Sequence, residues 1–153
     1  MTAQQEQATV AIFTSIPNGK VLAAVCGVNG IMGKVLETSA GSFAVLDDTS
    51  EGATAKAGQA ISMFVKTVPI LAMERRDGQI IVTQWEAGAS KGNLAPGFAL
   101  DQAPGVIVSL MTGSQTIEQI AETHPDKVFD AHMGRLKAVR ELRKLAKQAR
   151  NQG

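Results

Sequence analysis

The chain has 153 residues, the length of one domain, and its 44% hydrophobic and 19% charged residues exclude the disordered and fibrous classes. Its longest apolar stretches, such as residues 21–28, fall short of the roughly 18 residues that a membrane span needs. Net charge is only +1, but residues 1–133 hold 8 Lys/Arg against 13 Asp/Glu, a net −5, and residues 134–153 hold 7 against 1, a net +6. A basic tail on an acidic body points to a polyanionic partner or to an acidic surface, including one on another copy of the chain.

The first seven residues, MTAQQEQ, have neither the basic nor the apolar region of a secretory signal, so a cytoplasmic protein is expected, or a virion component if the chain assembles. A single Cys26 cannot form an internal disulfide. With five Phe, one Trp and no Tyr, the core has to be built from aliphatic residues and Met. Residues 1–8 are expected as a flexible N-terminus, 9–112 as a β-domain and 113–153 as a C-terminal helical segment.

In chain order, Asn18-Gly19 separates two apolar runs, residues 9–16 and 20–28, and Asn29-Gly30 separates the second from residues 31–38. Asn-Gly and Asp-Gly pairs favour two-residue hairpin turns because both residues tolerate positive φ. Ala40-Gly41 marks a further turn before a strand at 42–46, and residues 60–68 alternate as another strand. Asp77-Gly78 joins residues 70–76 to 79–85, the cleanest hairpin of the sequence. Two surface loops interrupt the series: residues 47–58, with three acids, and residues 86–105, with four Gly and two Pro. Residues 106–110 would form a last strand. The expected fold is therefore mainly β within an α+β frame: an antiparallel meander of seven or eight short strands, closed into a small barrel or stacked as a sandwich.

Beyond Ser114 the period becomes helical. Residues 116–123 form a short helix, and Pro125 with Asp126 starts a longer one that runs to about residue 150 and is interrupted at Gly134. At 100° per residue, Val139, Leu142, Leu145, Ala146 and Ala149 fall within an arc of about 120°. Lys137, Arg140, Arg143, Lys144, Lys147 and Arg150 fall on the opposite side, where six cations can meet phosphates. Arg75, Arg76 and Trp85, on the two arms of the clean hairpin, are second-rank candidates for backbone contact and base stacking.

Motifs that would specify chemistry fail on detail. Gly27, Gly30, Gly33 and Lys34 suggest a phosphate loop. However, five residues separate Gly27 from Gly33, Val35 follows the lysine, and the Gly-x-x-Gly pairs lie between expected strands. His124 and His132 are eight apart, not one helical turn, so no metal site is expected. Asp47, Asp48 and Glu51 lack the alternating ligands of a calcium loop, and no nucleophile elbow is present. The sequence thus predicts a non-catalytic nucleic-acid-associated protein without cofactor, metal or evident small-molecule substrate. It binds DNA or RNA backbone through the basic helix and forms homo-oligomers. The alternative is an assembly protein, such as a virion or other shell component, that uses the same helix and the Gly-rich loops for subunit contacts.

Overall fold

A computed structural model describes residues 8–67 and 69–152. In chain order the elements are β1 (Thr9–Thr14), α1 (Gly19–Val28), β2 (Gly33–Thr38), β3 (Gly41–Leu46), α2 (Ala53–Phe64), β4 (Ile70–Arg76), β5 (Gln79–Glu86) and β6 (Ala89–Leu94). They are followed by α3 (Pro96–Asp101), α4 (Gly105–Thr112), α5 (Ile117–Thr123), β7 (Val128–Asp130) and α6 (Arg135–Gln152). The seven strands form one antiparallel sheet, ordered β6-β5-β4-β1-β3-β2-β7, followed by the C-terminal helix.

The strand number and direction agree with the sequence, but the sheet is open rather than closed into a barrel or split into a sandwich. Helices bury both faces of β4, β1, β3 and β2, while five of the six residues of β6 are exposed. Val10, Ile12, Val35, Ala44, Ile70 and Ala72 meet Leu22, Val25, Cys26, Ala57 and Ile61 of α1 and α2 on one side. Ala11, Leu36, Phe43, Val45, Met73 and Val82 meet Ile107, Leu110, Met111 and Ile120 of α4 and α5 on the other. With the central strands covered by helices on both faces, the core is complete without closing the sheet. Burial pushes the Cys26 thiol up to about 12, so this cysteine is a core residue rather than a nucleophile.

Three expected strands are helices. Residues 20–28 form α1 because Asn18 is an N-cap, not a turn residue: its side chain accepts from the Lys20 amide at 2.9 Å. Asn29-Gly30 then ends the helix. Gly30 takes φ +69°, its amide bonds Gly27 O and the Ile31 amide bonds Cys26 O, the paired arrangement of a left-handed helix stop. Residues 60–64 of the expected strand at 60–68 belong to α2, whose buried Ala53, Ala57 and Ile61 recur at the four-residue spacing of one helix face; Val68 lies outside the described residues. Residues 106–110 lie in α4, entered from Pro104 and left at Gly113, with Ile107, Leu110 and Met111 buried at helical spacing.

The expected loops are shorter than drawn. Residues 47–52 remain a loop before α2, while the 86–105 segment contains β6 and α3. β6 follows a second tight turn in which Ala87 and Gly88 both have positive φ. The Asp77-Gly78 hairpin forms as expected, with φ of 53° and 76° at its centre. So does α5, capped reciprocally by Thr116 and Gln119.

No helix starts at Pro125. Residues 128–130 pair with β2 as β7, with Val128 and Phe129 half-buried, and the long helix begins only after Gly134. The C-terminal segment thereby contributes a strand to the main sheet. Residues 1–7, the greater part of the expected flexible N-terminus, lie outside the described residues. Among the described residues no helix is long and apolar enough to cross a membrane.

Candidate nucleic-acid interface

α6 has 18 residues, about 27 Å at 1.5 Å per residue, and two opposed faces. Ala138 is fully buried, and Val139, Leu142 and Leu145 are half-buried on the side that meets α1. The two helices meet tightly at Gly27 of α1: a Cβ there would stand 2.8 Å from the Ala138 Cβ and 2.6 Å from Met133 Cγ. Glycine at 27 and alanine at 138 let the two backbones come together, which fixes the rotation of α6 about its own axis.

That rotation turns the cations outward. Lys137, Arg140, Arg143, Lys144, Lys147 and Arg150 are all exposed. Lys137, Arg140, Lys144 and Lys147 follow i, i+3, i+7 and i+10 spacing and so form one line along the helix. Among the described residues none of the six has an acidic oxygen within 4.0 Å. The acidic body does not fold back onto them. Arg150 lies in the last turn, where a cation also complements the helix dipole.

The second-rank residues lie elsewhere. The Arg75 guanidinium donates to Thr9 Oγ1 at 3.3 Å and packs under Gly113 after α4. Arg76 belongs to the α2 side of the sheet, where it pairs with Glu74 at 3.2 Å and donates to the Thr49 carbonyl. Trp85 is half-buried against Gly58 of α2, where a Cβ would come within 2.8 Å of the indole. The structure therefore does not bring Arg75, Arg76 and Trp85 together with the α6 cations in one surface.

The three glycines of the phosphate-loop pattern each have a packing reason. Gly27 admits α6, Gly30 supplies positive φ, and a Cβ on Gly33 would stand 2.1 Å from the Val45 carbonyl oxygen. His124 ends α5, with its Nδ1 2.9 Å from Thr123 Oγ1. Among the described residues no cluster of three or more His, Cys, Asp or Glu side chains could hold a metal ion.

One arrangement had no sequence signal. His132, in the connection from β7 to α6, contacts Asp130 through Nδ1 and Asp47 through Nε2. The hydrogen bonds from Asp47 and then Asp130 raise the His132 pKa above its ordinary value of 6.5 against the opposing effect of burial. The backbone and side-chain bonds from His132 lower that of Asp130. Together they clasp the start of α6 to the end of β3. Asp47 and His132 are 85 residues apart, so no local spacing could have paired them.

Comparison with protein-family models, curated proteins and solved structures finds no match for this chain.

Proposed function

We propose that the protein binds nucleic acid through the solvent-facing cations of α6, gripping the phosphate backbone without reading base sequence. The observation that carries this reading is six exposed cations without acidic partners among the described residues, on a helix whose opposite face is held by α1. From residue 137 to 150 the cationic face is about 20 Å long, the rise of about six nucleotides of one duplex strand. Lys and Arg contacts to phosphates fix position but carry no sequence information.

The test is fluorescence anisotropy of nuclease-treated protein with labelled single- and double-stranded oligonucleotides over a salt series, beside the triple variant R140E/K144E/K147E. These side chains point to solvent, so the variant should keep the parent melting temperature. If about five phosphates are neutralised, the log-log salt slope is near −4.5 for duplex and −3.5 for single strands, and the variant loses most of it. No binding at low salt, or an unchanged slope in the variant, overturns the proposal.

A second reading, subunit contact in a multimeric assembly, draws on large apolar side chains left exposed at Met63 and Phe64 of α2 and Phe98 of α3. Sedimentation velocity across a concentration series tests it: a single monomer peak throughout excludes it.

A further inference from the structure

A groove of about 360 Å³ lies on the α2 side of the sheet, away from α6, between the first turn of α2 and strands β4 to β6. It exists because Ala55 and Ala72 are small; α2 reaches β5 and the turn into β6 further along, where Gly58 meets Trp85 and the Ser62 hydroxyl accepts from the Gly88 amide. Trp85 lines it beside Thr54, Glu74, Thr83, Ser90 and Asn93.

The polar groups are gathered there by an irregularity in the β5–β6 ladder. Thr83 and Trp85 are two apart and share a face of β5, but their partners Asn93 and Ser90 are three apart on β6. A regular strand would put Asn93 and Ser90 on opposite faces. The register shift between them, with Gly92 at φ +98°, brings both to the groove. Bulges that re-aim side chains in this way are concentrated beside functional sites.

Their bonding capacity is only partly used within the protein. Thr83 Oγ1 donates to Asn93 Oδ1 at 3.0 Å, which leaves the two amide hydrogens of Asn93 and the lone pairs of Thr83. Ser90 Oγ accepts from the Gly92 amide at 3.4 Å and keeps its own hydrogen. Glu74 is already compensated, accepting from Thr54 Oγ1 at 2.5 Å and from Arg76 at 3.2 Å. Burial raises its pKa, but the bonds from Thr54 and Arg76 and the Arg76 charge outweigh that effect and lower it, so the carboxylate stays ionised. The groove thus combines an aromatic ring with neutral donors and acceptors and no uncompensated charge.

We propose that this groove binds a neutral polyhydroxylated ring, either a hexose or the ribose of an uncharged nucleoside. The apolar C–H side of such a ring packs on the indole of Trp85, while its hydroxyls exchange hydrogen bonds with Thr83, Ser90 and Asn93. An anionic ligand would meet Glu74, and a purely apolar one would strand the Asn93 amide.

Trp85 is the protein's single tryptophan, and there is no tyrosine, so intrinsic fluorescence reports on this site alone. The experiment pairs that signal with saturation-transfer NMR on the full chain. One arm titrates glucose, galactose, N-acetylglucosamine and maltose, and the other ribose, adenosine and uridine. Thr83→Val and Asn93→Ala serve as site variants, with circular dichroism to verify the fold. The expected result is saturable binding in the millimolar range in at least one arm, weakened about tenfold by either variant. Response to the hexoses alone identifies a sugar site, and response to the nucleosides and ribose alone a ribose site. No saturable signal in either arm, or binding untouched by both variants, overturns the proposal. The α6 triple variant should bind these compounds as the parent does, which separates this inference from the nucleic-acid reading.

Discussion

The two helical layers that cover the sheet are held in different ways. In one, seven of the ten residues of α1 are buried, its ends are fixed by Asn18 and Gly30, and α6 lies against it at Gly27 and Ala138. In the other, α3 has no buried residue and no side-chain cap, and it borders an apolar cavity of about 170 Å³ lined by Phe13, Phe43, Met73 and Leu94. That layer is anchored instead by α4, through Ile107, Leu110 and Met111. The close-packed layer carries the basic helix, so its charges are presented in one fixed orientation. The loose layer exposes Phe98 at 62%, and the close-packed one leaves Leu136 of α6 and Met63 and Phe64 of α2 exposed.

The largest expected effect breaks the tight layer where it joins the sheet. Gly33 begins β2, its carbonyl accepts from the Ala131 amide beside β7, and a Cβ would stand 2.1 Å from the Val45 carbonyl oxygen. Backbone meets backbone there, and no flexible side chain can give way. Gly33→Ala should therefore cost about 3 kcal/mol or more, the upper range for overpacking, read as a lower urea midpoint at unchanged m-value. A loss below about 1 kcal/mol would mean that this layer adjusts as easily as the other.

The same contrast governs what the sequence discloses. Asp77-Gly78 and Asn18-Gly19 look alike as dipeptides, but one is a turn and the other the start of a helix, because asparagine caps helices as readily as it accepts positive φ. The run at 20–28 could not arbitrate: a segment buried nearly all round shows neither a two-residue nor a 3.6-residue period. α4 was lost in the same way. In α2 the period is present but carried by alanines, which contribute little contrast. α6 was legible because charge and apolar residues divide cleanly around it; the structure keeps the six cations outward and half-buries Val139, Leu142 and Leu145, but it buries Ala138 and leaves Ala146 and Ala149 of the expected stripe exposed. The groove was not, since it depends on a bulge at Gly92 and a tight turn at Ala87-Gly88 that no dipeptide rule signals.

A smaller effect concerns the clasp between the start of α6 and the end of β3. His132 has a raised folded pKa, so its contribution is fully present below about 6.5 and is lost as pH rises through the folded value. Asp130 has a lowered one, so its contribution is present above 3.8 and lost as pH falls through the folded value. The clasp is therefore strongest between about pH 4 and 6.5. More than a third of the His132 side chain is exposed, and solvent screening holds the gain below about 1 kcal/mol. His132→Gln should lower the melting temperature at pH 6 and leave it nearly unchanged at pH 9. An equal loss at both would assign His132 a packing role instead.

The smallest expected effect tests the loose layer. Phe98 is the largest apolar side chain of α3 and lies mostly in solvent, so removing it gives up little burial. Phe98→Ser should change stability by less than about 0.5 kcal/mol, the usual range for surface substitutions. If stability falls by about 2 kcal/mol, Phe98 closes the cavity beneath α3 in solution and the two layers are packed alike. If stability holds while a concentration-dependent oligomer disappears, the exposed ring belongs to a contact between copies.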